Sequence, residues 1–335
     1  MSSAVIQVRG LTKVYPGQRN RPPVLAVDHI DFDVQEGEIF GFLGPNGAGK
    51  TTTHRMLTTL LTPTEGQVLI AGHDIERDAY MAKRQMGLVT EEANVYRDMS
   101  AWDNLMFAGR LYRMSKAERE ARAAELLKLF GLWEARHEKT EGYSRGMRRR
   151  LSIAMAIIHR PKLLFLDEPT PGLDAQSARA IRDLVREMKA RGTTIFLTTH
   201  QIEEANLLCD RVAIINHGRI AAIDTPERLK RDFQEVQSVQ VALEPDAQRH
   251  GELLAALGGV SQVVKRGDKW QLYTADPSAL VLKVVDYARR HGLTIVSLNT
   301  LGPSLEDVFL RITGQEIGVV RLPDTANRSK KRRRS

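Results

Sequence analysis

The sequence predicts an α/β fold followed by a smaller α+β domain, and three observations carry that expectation. An apolar run, Ile39-Phe40-Gly41-Phe42-Leu43, reads as a buried strand and leads through a glycine-rich loop into a helical pattern opening at Lys50. Two further apolar runs end on chemistry: Leu163 to Leu166 closes on Asp167-Glu168, and Thr193 to Thr199, rich in β-branched residues, ends at His200. Beyond about Phe233 the pattern becomes strand, helix, strand, strand, helix, strand, the split βαβ order of a ferredoxin-like domain.

Taken in order, residues 4–11 alternate apolar and polar, as a half-buried strand does. Thr12-Lys13-Val14-Tyr15 and a polar loop from Pro16 to Pro23 come next, leaving Tyr15 as a surface aromatic just outside that strand. Val24 to Val34 alternates again and ends at the turn Gln35-Glu36-Gly37. Then stands Gly44-Pro45-Asn46-Gly47-Ala48-Gly49-Lys50-Thr51-Thr52, with the G-x-x-x-x-G-K-T spacing of a phosphate-binding loop between strand and helix. Only backbone free of side chains wraps its N–H groups around a polyphosphate. Gly44, Gly47 and Gly49 allow that approach. The helix N-terminus adds partial positive charge. In such a loop Lys50 bridges the β- and γ-phosphates, and the Thr51 hydroxyl can ligate Mg²⁺.

Gln67 to Ala71 reads as a strand, Ala79 to Met86 as a helix, and Gly87 to Thr90 as another buried strand. Helical patterns run from Ser100 to Arg113 and from Ser115, where Glu118 three residues on completes a capping box. A helix from about Ser144 turns Leu151, Ile153, Ala154, Ala156 and Ile157 inward, and Arg148 to Arg150 read as its wet face. Arg211 to Asn216 is one more strand, with His217-Gly218 as its turn. In the C-terminal part, strands are expected at Val236 to Leu243 and Leu293 to Leu298, with a hairpin, Ser261 to Val264 and Trp270 to Tyr273, about Arg266-Gly267-Asp268. Helices are expected at Arg249 to Leu257, Ala279 to His291 and, last, Leu305 to Thr313.

At 335 residues, 42% hydrophobic and 27% charged, the chain has the composition of an ordinary globular protein of about two domains. The net charge of +8 resides mostly in residues 321–335, which include Lys330-Lys331-Arg332-Arg333-Arg334, so it marks a solvated terminus and not a nucleic-acid-binding face. Attraction of that run to anionic lipid is the sharper alternative. The single cysteine, Cys209, leaves no intramolecular disulfide and fits a reducing compartment. No secretory signal pattern opens the chain, and no apolar stretch approaches the ~18 residues of a spanning helix.

Phosphoryl transfer is catalysed by positioning and charge neutralisation, so a cation on the phosphates, Mg²⁺ ligands and a water-orienting carboxylate are the parts required. Adjacent residues at a strand end point to opposite sides, so Asp167 can face a metal while Glu168 faces water. Taken together, these motifs over residues 5–230 resemble the nucleotide-binding subunit of an ATP-binding cassette transporter. That resemblance implies a P-loop core of cassette type, with an antiparallel β subdomain and a helical subdomain at about residues 95–160. It implies that Tyr15 stacks on adenine and that Asp167 holds Mg²⁺, with Glu91 (or its neighbour Glu92) where the family has a glutamine ligand. Glu168 would polarise the attacking water and His200 would contact the γ-phosphate. Ser144-Arg145-Gly146-Met147 occupies the signature, usually L-S-G-G-Q, and with Asp174 would act in trans on ATP held by a second cassette. Arg145 is a departure, a bulky cation where the family has glycine.

The expected organisation is a cassette at 1–233, an accessory α+β domain at 234–315 and a basic tail at 316–335. Pro303-Ser304-Leu305-Glu306-Asp307-Val308-Phe309-Leu310 makes the C-terminal part similar to that of exporter cassettes of the daunorubicin-resistance kind. The implied function is ATP hydrolysis at the cytoplasmic face of a membrane, powering export of a drug, lipid or other amphiphile through separate permease subunits. The implied cofactors are ATP and Mg²⁺, and the implied partner is a second cassette, in a homodimer. The rival reading is a soluble cassette ATPase acting on ribosomes or nucleic acid. Such translation factors carry two cassettes and such repair ATPases long insertions; neither is visible, so no nucleic-acid partner is expected.

Overall fold

The computed structural model describes residues 4–17, 22–92, 94–232, 237–245 and 249–314. The composition change at Phe233, the strand start at Val236 and the basic tail 316–335 lie outside the described residues. The chain divides into two units, Met1–Pro226 and Glu227–Ser335.

The first unit opens with two long antiparallel strands, β1 (Ala4–Tyr15) and β2 (Val24–Gln35). β1 runs further than its alternation suggests: Tyr15 is its last residue and pairs with Val24. Register shifts between Val8 and Val14, with Gly10 at φ +57°, let the strand bend and continue where strict period-2 reading breaks. β3 (Ile39–Leu43) leads into α1 (Lys50–Leu57). β4 (Glu65–Ile70) and the short β5 (His73–Asp74) complete an antiparallel sheet in the order β2-β1-β4-β5. α2 (Ala79–Arg84) and β6 (Met86–Val89) come after it in the chain.

Three helices come next: α3 (Ala101–Leu111), α4 (Lys116–Leu129) and α5 (Arg145–Ala156). Their starts are legible because Ser100, Ser115 and Ser144 each accept a backbone N–H with the side chain, and Ser115 with Glu118 forms the expected capping box. The rest of the unit is β7 (Leu163–Asp167), α6 (Ala175–Ala190), β8 (Thr194–Thr199), α7 (Ile202–Leu208), β9 (Arg211–Asn216) and β10 (Arg219–Asp224), and α8 (Pro226–Arg231) starts at the boundary between the units.

The second sheet has the order β10-β9-β3-β8-β7-β6, parallel except where β10 returns antiparallel on β9. Its central strands are buried on both faces, hence their unbroken apolar runs. Five phenylalanines join this sheet to β2: Phe196 lies 5.3 to 6.2 Å, centroid to centroid, from Phe32, Phe40, Phe42 and Phe165.

The second unit contains β11 (Gln237–Glu244), α9 (Arg249–Ala255), β12 (Val260–Arg266), β13 (Lys269–Thr274), α10 (Pro277–Arg290), β14 (Thr294–Leu301) and α11 (Leu305–Thr313). The sheet order β12-β13-β11-β14, all antiparallel, is the split βαβ arrangement. Val239, Val241, Trp270, Leu272, Leu280 and Val284 form its core. Tyr273 donates its hydroxyl to the buried Asp307 at 2.7 Å, and burial pushes the phenol pKa up.

Because Phe196 is fully buried and touches four other rings, Phe196→Ala is expected to cost about 3–5 kcal/mol of stability. Urea titration of the full chain measures it; a loss under about 1 kcal/mol would show that this cluster does not hold the sheet.

Candidate functional site

Four adjacent parallel strands deliver the site residues to one rim. The register pairs Leu43 with Thr199, Thr198 with Asp167, and Leu166 with Val89, so the C-terminal ends of β3, β8, β7 and β6 stand level. The residues at and just beyond these four ends line a cavity of about 550 Å³. Asn46, Lys50 and Thr51 line it from the loop after β3, Thr90, Glu91 and Glu92 from the segment after β6. Asp167 and Glu168 close it from β7, and His200 from the end of β8.

The loop needs its glycines for two different reasons. Gly47 and Gly49 have φ of +79° and +109°, which side-chain-bearing residues rarely adopt. At Gly44 a Cβ would lie 2.5 Å from the Ile215 carbonyl oxygen, so the neighbouring strand leaves room only for hydrogen. Ala48 is buried, and its N–H donates to the Pro45 carbonyl at 3.2 Å. Lys50 is 8% exposed and donates to the Gly44 carbonyl at 2.6 Å and the Pro45 carbonyl at 3.0 Å. Burial lowers its pKa, and the charges of Glu168 and Asp167 oppose that shift. Tyr15 reaches this loop from β1, its hydroxyl 3.5 Å from that of Thr52, with the Lys13 ammonium 5.7 Å from the ring centroid.

The two carboxylates are held apart in different ways. Asp167 accepts a short hydrogen bond from the Thr198 hydroxyl. Glu168 has φ +45°, a left-handed conformation that costs a residue with a Cβ on the order of 1 kcal/mol or more and collects at functional sites. Its N–H donates to the Thr198 carbonyl at 3.0 Å, so the turn starts only after the ladder has taken its last bond. Its Oε1 lies 2.8 Å from His200 Nδ1. Thr199 adds a 3.4 Å bond to Oε2.

The oxygen donors suit Mg²⁺. It takes one or two carboxylates and completes its shell with water and phosphate oxygens. Among the described residues no group of three His, Cys, Asp or Glu is placed to hold a metal, and Asp167, Glu91 and the Thr51 hydroxyl around one cavity fit that sparse requirement.

The signature residues form a separate cluster. Ser144 caps α5, accepting from the Met147 N–H at 3.1 Å. A Cβ on Gly146 would come within 2.5 Å of the Ser177 hydroxyl, so glycine is what lets α5 meet the start of α6. Arg145 lies against Gly172, where a Cβ would meet Nη1 at 2.4 Å. Asp174 caps α6 through the Ser177 N–H at 2.8 Å and hydroxyl at 2.7 Å, bonds that lower its pKa. None of Ser144, Arg145, Gly146, Met147 or Asp174 lines the 550 Å³ cavity.

One expectation is overturned. The stretch Arg148 to Arg150 is not a wet face: Arg149 is 4% exposed and Arg150 donates to the Phe130 carbonyl at 2.7 Å. At about 100° per residue, three consecutive arginines on a helix cannot all face water. Pattern reading also misses His54, buried beside the cavity with its ring edge on Phe165 and its pKa lowered by burial. It takes Thr198 and Thr199 only as strand formers, yet both bond to the carboxylates.

Comparison with known proteins agrees with this geometry. The family described as ABC transporter matches residues 27–171. The daunorubicin/doxorubicin resistance ATP-binding protein DrrA of Streptomyces peucetius is 41% identical over 92% of this chain and 92% of its own length. The Nod factor export ATP-binding protein I of Cupriavidus metallidurans is 36% identical over 94% and 99%. Among solved structures, an ATP-binding subunit of an ABC transporter has a TM-score of 0.61 at 30% identity, covering 68% of this chain and 93% of that one. The dimeric cassette MJ0796, bound to ADP and Pi, has a TM-score of 0.59 at 27% identity, covering 66% and 98%.

Lys50→Ala is expected to weaken ATP binding about 10- to 100-fold, the worth of one or two charge-assisted hydrogen bonds. Calorimetric titration with ATP reads it, and unchanged affinity would remove Lys50 from the phosphate site.

Proposed function

This chain belongs to the ABC transporter ATP-binding family and is an ATP-hydrolysing cassette, and on that premise we propose that it powers export of an amphiphilic drug or lipid through a separate membrane permease. The observation that carries the catalytic part is the 2.8 Å contact of Glu168 with His200 at the rim that also carries Lys50, Thr51 and Asp167. Glu168, oriented by its contact with His200, takes the proton of the attacking water. Lys50 and the loop amides neutralise the phosphates. Thr51, Asp167 and Glu91 would hold Mg²⁺, which would supply further neutralisation of the phosphate charge. Tyr15 stacks on the adenine.

The export part is supported by relatives matching almost the whole chain that are named for drug resistance and Nod factor export. No helix among the described residues is long and apolar enough to cross a membrane, so a spanning partner would supply the path. Ser144 to Met147 and Asp174, outside their own cavity, act in this reading on ATP held by a second cassette, and the dimeric structure of the cassette MJ0796 supports pairing of two cassettes.

Glu168→Gln should keep ATP affinity and lose about 10²–10⁴ in turnover, since only the water-activating group changes. Phosphate release near the wild-type rate would sink the assignment. Detergent extraction of tagged protein should bring down a membrane-spanning partner; recovery with ribosomes or nucleic acid instead would favour the rival reading.

A further inference from the structure

Arg149 lies on the buried face of α5, and every nitrogen of its guanidinium is used. Nε donates to the Pro169 carbonyl at 3.1 Å. Nη1 donates to the Thr90 carbonyl in a short bond and to the Glu91 carbonyl at 3.1 Å. Nη2 donates to the carbonyls of Asp167 and Glu168, each at 2.7 Å. All five acceptors are backbone. Asp167 is the last residue of β7 and Glu168 and Pro169 follow it, while Thr90 and Glu91 follow the adjacent parallel strand β6. Burial pushes the guanidinium pKa down to about 10, which leaves it a cation at neutral pH.

We infer that Arg149 is a positioning residue for hydrolysis: it holds the left-handed Glu168 turn in place and ties it to the segment 90–91. A carboxylate partner would hold the cation at one point, whereas five carbonyls on two segments fix the path of both chains. Glu168 is where such fixing is needed, because φ +45° is not a conformation the residue keeps unaided. Its N–H is held by Thr198, its carboxylate by His200, and its carbonyl by Arg149. The same cation holds Glu91, a proposed metal ligand, by its carbonyl. Because α5 also begins at Ser144, one helix presents the signature at its end and grips the water-activating residue at its flank.

The inference rests on Glu168 acting on the attacking water as proposed above, and the test separates the two. Steady-state ATPase rate and ATP affinity are measured for the full chain, for Arg149→Gln, Arg149→Lys and Glu168→Gln, and for each Arg149 variant combined with Glu168→Gln. Arg149→Gln should lower kcat on the order of 10²-fold, as a misplacement of about 1 Å does, with ATP affinity within about threefold of wild type. Arg149→Lys, which keeps the charge but has three donors on one atom, should fall between. In the Glu168→Gln background either substitution should add less than about twofold, because a residue that acts through Glu168 has nothing left to position. Hydrogen exchange should quicken together at 90–92 and 167–170 and stay unchanged along α6. If Arg149→Gln does not fold, Arg149→Lys carries the same cycle. A wild-type kcat in an Arg149 variant, a loss that multiplies that of Glu168→Gln, or affinity falling in step with kcat would overturn the inference. Wild-type turnover by Glu168→Gln would overturn the reading beneath it and the inference together.

Discussion

Parallel strands end in carbonyls. In a sheet whose central strands run the same way and stop at the same level, those ends gather at one rim, and the crevice outside it is where such folds bind ligands. Here β3, β8, β7 and β6 stop level, and the residues at and just beyond their ends are the glycine-rich loop, His200, Asp167-Glu168 and Thr90-Glu91. The geometry of each part therefore depends on the register of the sheet beneath it. That register is fixed from behind by buried rings, Phe196 at their centre, which leave the strands no room to slide.

The rim also separates its charges in a particular way. Its cations are bonded to carbonyls: Lys50 to Gly44 and Pro45, Arg149 to five more. Its carboxylates are bonded to hydroxyls and an imidazole: Asp167 to Thr198, Glu168 to Thr199 and His200. Among the described residues no Lys or Arg pairs with Asp167 or Glu168. Direct pairing would satisfy each charge internally and leave less for a substrate. Hydroxyl, imidazole and carbonyl partners orient these groups without ion-pairing the lysine to the carboxylates, which in the proposed function leaves the lysine for phosphate and the carboxylates for metal and water. The lowered pKa of Lys50 has the same origin, since burial outweighs the distant carboxylates.

Much of this is legible in the sequence. The loop spacing fixes a backbone shape by sterics alone, and the structure has Gly47 and Gly49 at the positive φ that shape requires. Serines at helix starts are readable because capping is a local contest for orphan N–H groups. In the second unit two strand runs joined by the short turn Arg266-Gly267-Asp268 make the hairpin legible, and β12 pairs with β13 there. The features that escape are nonlocal. β1 continues to Tyr15 only because β2 pairs with it across a bulged register. Thr198 and Thr199 acquire roles from residues more than thirty positions away.

Arg149 is the instructive case, because a signal for it is present. Gly146, Arg149, Ile153 and Ala156 recur at three- and four-residue steps, and all four are buried in α5. Periodicity places the arginine inside; the usual rule that arginine is solvated places it outside. The rule holds because a buried guanidinium needs five acceptors, and side chains seldom supply that many. At the end of a parallel sheet the backbone supplies them, and carbonyls are the same in every sequence. A charged residue on the apolar stripe of a helix that packs against strand ends is thus better read as bonded to backbone than as misplaced, and the stripe decides the matter.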